Sequence, residues 1–185
     1  MLRRPLIGEA PAFLQELSRM PAIFIFCPLM PQRSDALASA ERWVLWGLRM
    51  TVEAQRCGRP QCRYVFDQLE GQGLGDCAGP LAALVRLCAM GARRPLAIAS
   101  PIAAVLTADE QRLLSALQRL QADPAASLTL VLSDLLAPAA VRLAAGPLGD
   151  IANHLTAAAV TLPLRRLPPE LEAGPDCRAI ARGLQ

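Results

Sequence analysis

Apolar residues recur at steps of three and four between residues 34 and 162, with polar residues between them. This spacing places the apolar side chains on one face of an α-helix. The longest stripe predicts a helix that begins at the capping residue Ser34 and ends near Cys57, where Gly58 stops it. Its apolar positions are Leu37, Val44, Leu45, Leu48 and Val52, and its expected solvent-facing positions are Arg42, Arg49, Glu53 and Arg56.

Proline, glycine and capping residues mark the ends of two more predicted helices. Pro60 suits the first turn of a helix that ends near Glu70. Asp76 is placed to cap the following helix, and Gly91 is placed to end it. The glycines of the loop 71–75 do not have the spacing of a phosphate-binding loop, so this segment is interpreted as a turn.

The strongest local signal is a capping box formed by Thr107 and Glu110. In such a box the threonine side chain caps the helix and the glutamate reaches back to the threonine N–H. An amphipathic leucine stripe follows, so a helix is predicted directly behind the box. The leucines of that stripe are Leu113, Leu114, Leu117 and Leu120.

The C-terminal third carries several proline signals. Asp123, followed by a proline, predicts a helix over residues 124–136. A short helix is expected over 138–145, and the Gly-Pro pair at 146–147 is expected to break it. A last helix is predicted over 148–160.

Prolines also separate the two ends of the chain from the helical part. Residues 1–33 are predicted to form an irregular N-terminal arm, within which Ala22–Phe26 is extended but has no visible partner strand. Residues 163–185 are predicted to form an irregular tail. The expected architecture is therefore an all-α bundle of six to eight short helices over 34–162, with an extended arm and an irregular tail.

Composition supports this fold class. Hydrophobic residues make up 53% of the chain and charged residues 19%, whereas aromatic residues make up only 4%. Alanine and leucine, which favour helices, dominate, and the β-branched and aromatic residues that favour strands are sparse. The apolar run over 21–30 is too short to cross a bilayer, so no membrane segment is predicted.

All basic residues are arginine, and the formal net charge is only +3. Arginine makes bidentate contacts with phosphate, so Arg93 and Arg94 are candidate anion-binding residues. A nucleic-acid-binding transcription regulator is therefore one alternative function. It is not favoured, because the net charge is low and the predicted helix 124–136 carries no Arg, Lys, Asn or Gln to contact bases.

Six cysteines follow an N-terminus without the pattern of a secretory signal, which predicts a cytoplasmic protein with reduced thiols. Four of them could hold zinc, but their spacing is poor for a zinc site, and no cofactor is predicted. A small cysteine-dependent metalloprotein or enzyme remains a second alternative. The four candidate ligands are Cys57, Cys62, Cys77 and Cys88.

His154, the single histidine, follows Asp150 by four residues, so the two side chains share a helical face. An acid–histidine pair can activate a nucleophile. No serine or cysteine lies in a recognised nucleophile motif, however, and an ordinary surface histidine is the preferred interpretation.

The favoured function is a non-enzymatic protein-interaction or regulatory module. Its high apolar content suggests that part of the surface is buried against a protein partner or a second copy of the chain. Trp43 and Trp46, three residues apart on one helix, are the candidate partner-binding residues, together with Phe24 and Phe26 of the arm. The two tryptophans could equally close the core.

Overall fold

The computed structural model describes residues 24–25, 32–33, 37–59 and 63–164 of the chain. These residues form six α-helices, a 3₁₀ turn and four two-residue strands, which confirms the predicted all-α fold. The helices are α1 Ser39–Arg56, α2 Arg63–Glu70, α3 Ala78–Gly91, α4 Ala108–Ala122, α5 Thr129–Leu132 and α6 Pro138–Ala157, and the 3₁₀ turn is Gly75–Cys77. The strands are β1 Phe24–Ile25, β2 Gln32–Arg33, β3 Leu96–Ala97 and β4 Val105–Leu106.

Helices α1 and α4 pack antiparallel. Gln118, late in α4, donates to Oε1 of Glu41, early in α1, at 2.8 Å. Arg49, further along α1, binds Glu110 in the first turn of α4. The predicted capping box of α4 is confirmed: the Glu110 N–H donates to Thr107 Oγ1, and the Thr107 N–H donates to Glu110 Oε2.

Helix α6 packs against both α3 and α4. Its start meets the end of α3, where a Cβ built on Gly91 would lie 2.2 Å from the Cβ of Ala140. Gly91 therefore permits a close helix crossing, and its φ is not positive as a terminating glycine's commonly is. The ends of α4 and α6 lie together, since Gln121 donates to Thr156 Oγ1 and to the Val160 carbonyl.

Leucine side chains fill the space between the helices. Each fully buried leucine contributes about 1.5–3 kcal/mol relative to an exposed one. The fully buried leucines come from the connector and from the helices that follow α1, and they include Leu69, Leu81, Leu96, Leu106, Leu117, Leu132, Leu136, Leu148 and Leu155.

The described part of the predicted extended segment, Phe24–Ile25, does have a partner strand, contrary to the expectation that none exists. Strand β1 pairs in parallel with β3, with Phe24 opposite Leu96, and β2 pairs antiparallel with β4. Both partners lie in residues 92–107, between α3 and α4, which we call the connector. Strands of two residues are too short to produce an alternating pattern in the sequence, which is why they were not predicted.

Two predicted helix starts are wrong. Helix α1 begins at Ser39, not at Ser34, and its cap position is Ala38, whose N–H donates to Glu41 Oε2 at 2.7 Å. Glu41 thus supplies only the reciprocal bond of a capping box, since Ala38 has no side-chain oxygen to accept from the first-turn N–H groups. Asp76 does not cap α3, because it lies inside the 3₁₀ turn with an exposed side chain.

The predicted helix over 124–136 is also wrong. Only α5 is helical there, and Asp123 Oδ1 instead accepts from the Ala125 N–H in a turn. The apolar residues Val131, Leu132 and Leu135 of this segment are buried nevertheless. Two backbone hydrogen bonds join the end of this segment to the end of α3: the Arg93 N–H donates to the Leu135 carbonyl, and the Ala137 N–H donates to the Gly91 carbonyl. The apolar pattern of the segment therefore reflects burial rather than a long helix.

The predicted break at 146–147 does not occur, because α6 runs without interruption from Pro138 to Ala157 with Pro147 inside it. Proline removes one helical hydrogen bond, to the carbonyl of Leu143. Leu143 and Gly146 are exposed, so solvent is available near the lost bond, and the buried face of α6 continues through this turn.

Of the predicted C-terminal tail, only residues 163–164 are described, and they are neither helix nor strand. In the described part of the chain no helix combines the length and the apolar character needed to cross a bilayer.

Candidate protein-interaction face

Three aromatic side chains lie together where α2 crosses α1, and we call Trp43, Trp46 and Tyr64 the aromatic face. The ring centroids of Trp43 and Trp46 are 5.6 Å apart at an interplanar angle of 77°. Those of Trp46 and Tyr64 are 6.1 Å apart at 66°. Both are edge-to-face contacts, which contribute about 0.5–1.5 kcal/mol beyond the area they bury.

The aromatic face belongs partly to the core and partly to the surface. Trp43 and Trp46 are half-buried and pack against the core leucines, whereas Tyr64 is 52% exposed. One side of each tryptophan therefore packs against the core and the rest borders solvent, and partner binding by these residues stays a prediction.

Gly47 of α1 lets one leucine from α2 and one from α3 approach the helix closely. A Cβ at this buried position would lie 3.0 Å from Leu81 Cδ1 and 3.3 Å from Leu69 Cδ1, so the absence of a side chain lets both leucines approach α1. Tyr64 was missed by sequence reasoning because nothing local relates it to Trp46. Phe66 is 45% exposed but lies two residues, or about 200°, around α2 from Tyr64, so it belongs to another side of the helix.

The predicted association of Phe24 and Phe26 with the tryptophans remains a prediction. The backbone of Phe24 lies in β1 beside Leu96 of the connector, and nothing is described of its side chain. Phe26 lies outside the described residues.

A buried ion pair joins α1 to α4. Arg49 Nε donates to Glu110 Oε1 at 2.7 Å and Nη2 donates to Oε2 at 2.9 Å, and both side chains are almost wholly buried. Arg49 also donates to the carbonyls of Ala103 and Val105. The expectation that Arg49 faces solvent is therefore wrong. Its position beside the apolar stripe gave no sign of a carboxylate 61 residues away.

Arg93 and Arg94, the candidate anion-binding residues, are both engaged within the chain. Arg94 makes a bidentate contact with Asp109, at 2.6 and 2.8 Å, and this hydrogen bonding raises the pKa of Arg94 above its ordinary value. Arg93 Nη1 donates to the Ser133 carbonyl at 2.9 Å. Anion binding at this pair stays a prediction, and an anion would have to compete with Asp109 for Arg94.

A third arginine, Arg112 of α4, also lies near Asp109. Its Nη2 is 3.0 Å from Asp134 Oδ2 and its Nη1 is 3.7 Å from Asp109 Oδ1. Its Nε is buried and has no hydrogen-bond partner among the described residues. Arg94 and Arg112 thus form a charge-balanced cluster with Asp109 and Asp134 beside α4.

The described candidate zinc ligands lie in different environments. Cys77 and Cys88 are buried, and desolvation raises the pKa of their thiols to about 11 and about 12. Cys57 is exposed, with its Sγ 3.7 Å from Glu53 Oε1. Cys62 lies outside the described residues. Across the described residues no group of three or more His, Cys, Asp or Glu side chains has the arrangement of a metal site.

His154 lies near a carboxylate, but that carboxylate is Asp76 rather than Asp150. His154 Nδ1 is 3.9 Å from Asp76 Oδ2, across the junction between α6 and the 3₁₀ turn. Cys77 directly follows Asp76 in the sequence. The raised pKa of its thiol keeps the thiol protonated near neutral pH. This contact joins α6 to the 3₁₀ turn.

Comparisons with known proteins add no assignment: no family model, curated protein or solved structure matches this chain.

Proposed function

We propose that this chain is a protein-interaction module rather than an enzyme, and that the aromatic face of α1 and α2 binds the partner protein. The observation that carries the proposal is the edge-to-face series Trp43–Trp46–Tyr64, which ends at the half-exposed ring of Tyr64. Tryptophan and tyrosine dominate the residues that contribute most to binding at protein interfaces. Rings already held by the core lose little conformational freedom when a partner covers them.

The charges beside the aromatic face indicate the chemistry of the partner. Arg42 is exposed one turn before Trp46, and it has no ion-pair partner among the described residues. Glu53, further along the same side of α1, is already paired with Arg56. The segment that binds here is therefore expected to present apolar anchors to Trp46 and Tyr64 and an acidic residue to Arg42.

The test compares two aromatic substitutions on the same helix. A photo-crosslinkable residue replaces Ser39, at the start of α1 on the side of the aromatic face, and the proteins it captures are identified in the wild type and in two variants. Tyr64→Ala removes the exposed ring of the face, whereas Phe66→Ala removes a similarly exposed ring outside it. Circular dichroism on both variants checks that the fold is retained.

We expect Tyr64→Ala to lower the yield of a specific crosslinked partner about tenfold or more, as for an interface anchor worth about 1.4 kcal/mol or more. Phe66→Ala should leave the yield unchanged. Equal yields from the two folded variants, or the absence of a specific crosslinked protein, would exclude the aromatic face as the binding site.

A further inference from the structure

Helix α6 has a largely exposed stripe that does not take part in the packing of the described residues. The stripe runs along the full helix, opposite the buried residues Ala144, Leu148, Ile151 and Leu155. Its residues follow steps of three and four, so they share one side of the helix. We call this the outer stripe; it comprises Ala139, Arg142, Leu143, Gly146, Gly149, Asp150, Asn153 and Ala157.

Two glycines at the centre of the outer stripe, Gly146 and Gly149, contact no other element among the residues that the structure describes. A Cβ at Gly146 or at Gly149 would meet nothing within 4 Å, and neither residue has a positive φ. Each glycine inside a helix is less favourable than alanine by about 0.8–1 kcal/mol. Glycine is useful where another backbone approaches closely, and no backbone among the described residues approaches these two.

The outer stripe is self-complementary about Gly146. Arg142 lies four residues before this glycine and Asp150 lies four after it. Leu143, a large exposed side chain, lies three before, and Gly149 lies three after. Neither Arg142 nor Asp150 has an ion-pair partner within the ranges that the structure describes.

The charges and shapes of the outer stripe indicate which partner would bind it. When two identical helices cross antiparallel at the same residue, each position before the crossing faces the equivalent position after it. Arg142 of one copy then faces Asp150 of the other, and Leu143 faces the open space above Gly149. Both pairings occur twice by symmetry, so the charges and the shapes match a second copy of the chain.

We propose that this protein forms a two-fold symmetric dimer in which the outer stripes of two α6 helices pack antiparallel, with Gly146 at the axis. This interface lies on a different helix from the aromatic face. The dimer therefore presents two aromatic faces to partners and does not depend on the proposed function.

The size of the outer stripe sets the expected affinity. A helix of 20 residues spans roughly 30 Å, so one helix pair buries less than the roughly 800 Å² per partner of a standard interface. We therefore expect a reversible dimer with a dissociation constant on the order of micromolar.

Sedimentation velocity on the full 185-residue chain, over a concentration series from about 1 to 500 μM, tests the proposal. Gly146→Gln should hold the two helices apart and give a monomer throughout the series, while thermal unfolding at low concentration shows a fold at least as stable as the wild type. Gly79→Gln is the matched control, because Gly79 also lies in a helix with nothing within 4 Å of a Cβ. It should dimerise like the wild type.

Charge reversal tests the pairing itself. Arg142→Asp and Asp150→Arg each place like charges opposite one another twice in the dimer, so each should weaken dimerisation about tenfold. The double variant restores both pairs and should recover the wild-type dissociation constant. A wild type that stays monomeric up to the highest concentration, a Gly146→Gln variant that still dimerises, or a double variant as weak as the single ones would overturn the proposal.

Discussion

At the residue scale, Glu110 shows how one side chain serves both local and long-range structure. Its carboxylate accepts hydrogen bonds from the Thr107 N–H within its own capping box, from the Ala99 N–H of the connector and twice from Arg49 of α1. The capping role was predictable, because it depends on residues three positions apart. The contact with Arg49 was not, because two helices have to pack before these side chains can meet.

Replacing Glu110 by glutamine tests the importance of this buried pair. Glu110→Gln leaves the Arg49 guanidinium buried without a compensating charge, and such a change is expected to lower the free energy of unfolding by about 3–5 kcal/mol. Urea denaturation monitored by circular dichroism measures this loss. Glu53→Gln is the control, because it breaks the exposed contact with Arg56 and should change stability by less than about 1 kcal/mol. Similar losses in the two variants would contradict the special role of the buried pair.

At the element scale, α6 shows the limit of local stop signals. Gly146 and Pro147 predicted a break, yet the helix continues, because the apolar residues before and after them form one buried face against α3 and α4. The burial of several leucine-sized side chains outweighs the roughly 3 kcal/mol by which an internal proline disfavours a helix. Helix α4 shows the opposite case, since its capping box and its leucine stripe agree with the packing and its start was predicted correctly.

The cost of the internal proline can be measured. Pro147→Ala restores an N–H that can donate to the Leu143 carbonyl, so it should raise the free energy of unfolding by about 1–3 kcal/mol. Thermal or urea unfolding at low protein concentration measures the change. Pro138→Ala is the control, because Pro138 lies in the first turn of α6, where proline fits a helix and its substitution should change stability little. A Pro147→Ala variant less stable than the wild type would show that the proline ring packs favourably enough to offset the lost bond.

At the scale of the whole molecule, the connector makes hydrogen bonds to the N-terminal arm, to α1 and to α4. Its strands pair with both strands of the arm, its carbonyls accept from Arg49, and its N–H groups at Ala97 and Ala99 donate to the buried carboxylates of α4. Most of the connector has no regular secondary structure, yet these hydrogen bonds join it to α1, to α4 and to the N-terminal arm.

Hydrogen exchange tests whether the connector is held in this way. The amides of Ala97 and Ala99 are expected to exchange slowly, at rates near those of the buried middle of α4, because their acceptors are almost fully buried. The amide of Ile102, which is 95% exposed in the same connector, should exchange far faster. Exchange at all three sites at the rate of Ile102 would show that the carboxylates do not hold the connector.

The sequence by itself determined the helical class, most of the buried apolar positions, the capping box of α4 and the presence of two tryptophans on one helix. These features depend on neighbours within one or two helical turns, so local periodicity and capping chemistry are sufficient to reveal them. Only the tertiary structure decided that the arm pairs with the connector, that Arg49 is buried on Glu110, that Tyr64 extends the tryptophan pair and that α6 continues through Pro147. Each of these outcomes depends on which helices pack together and where they cross, and that choice is made by core packing between residues far apart in the chain.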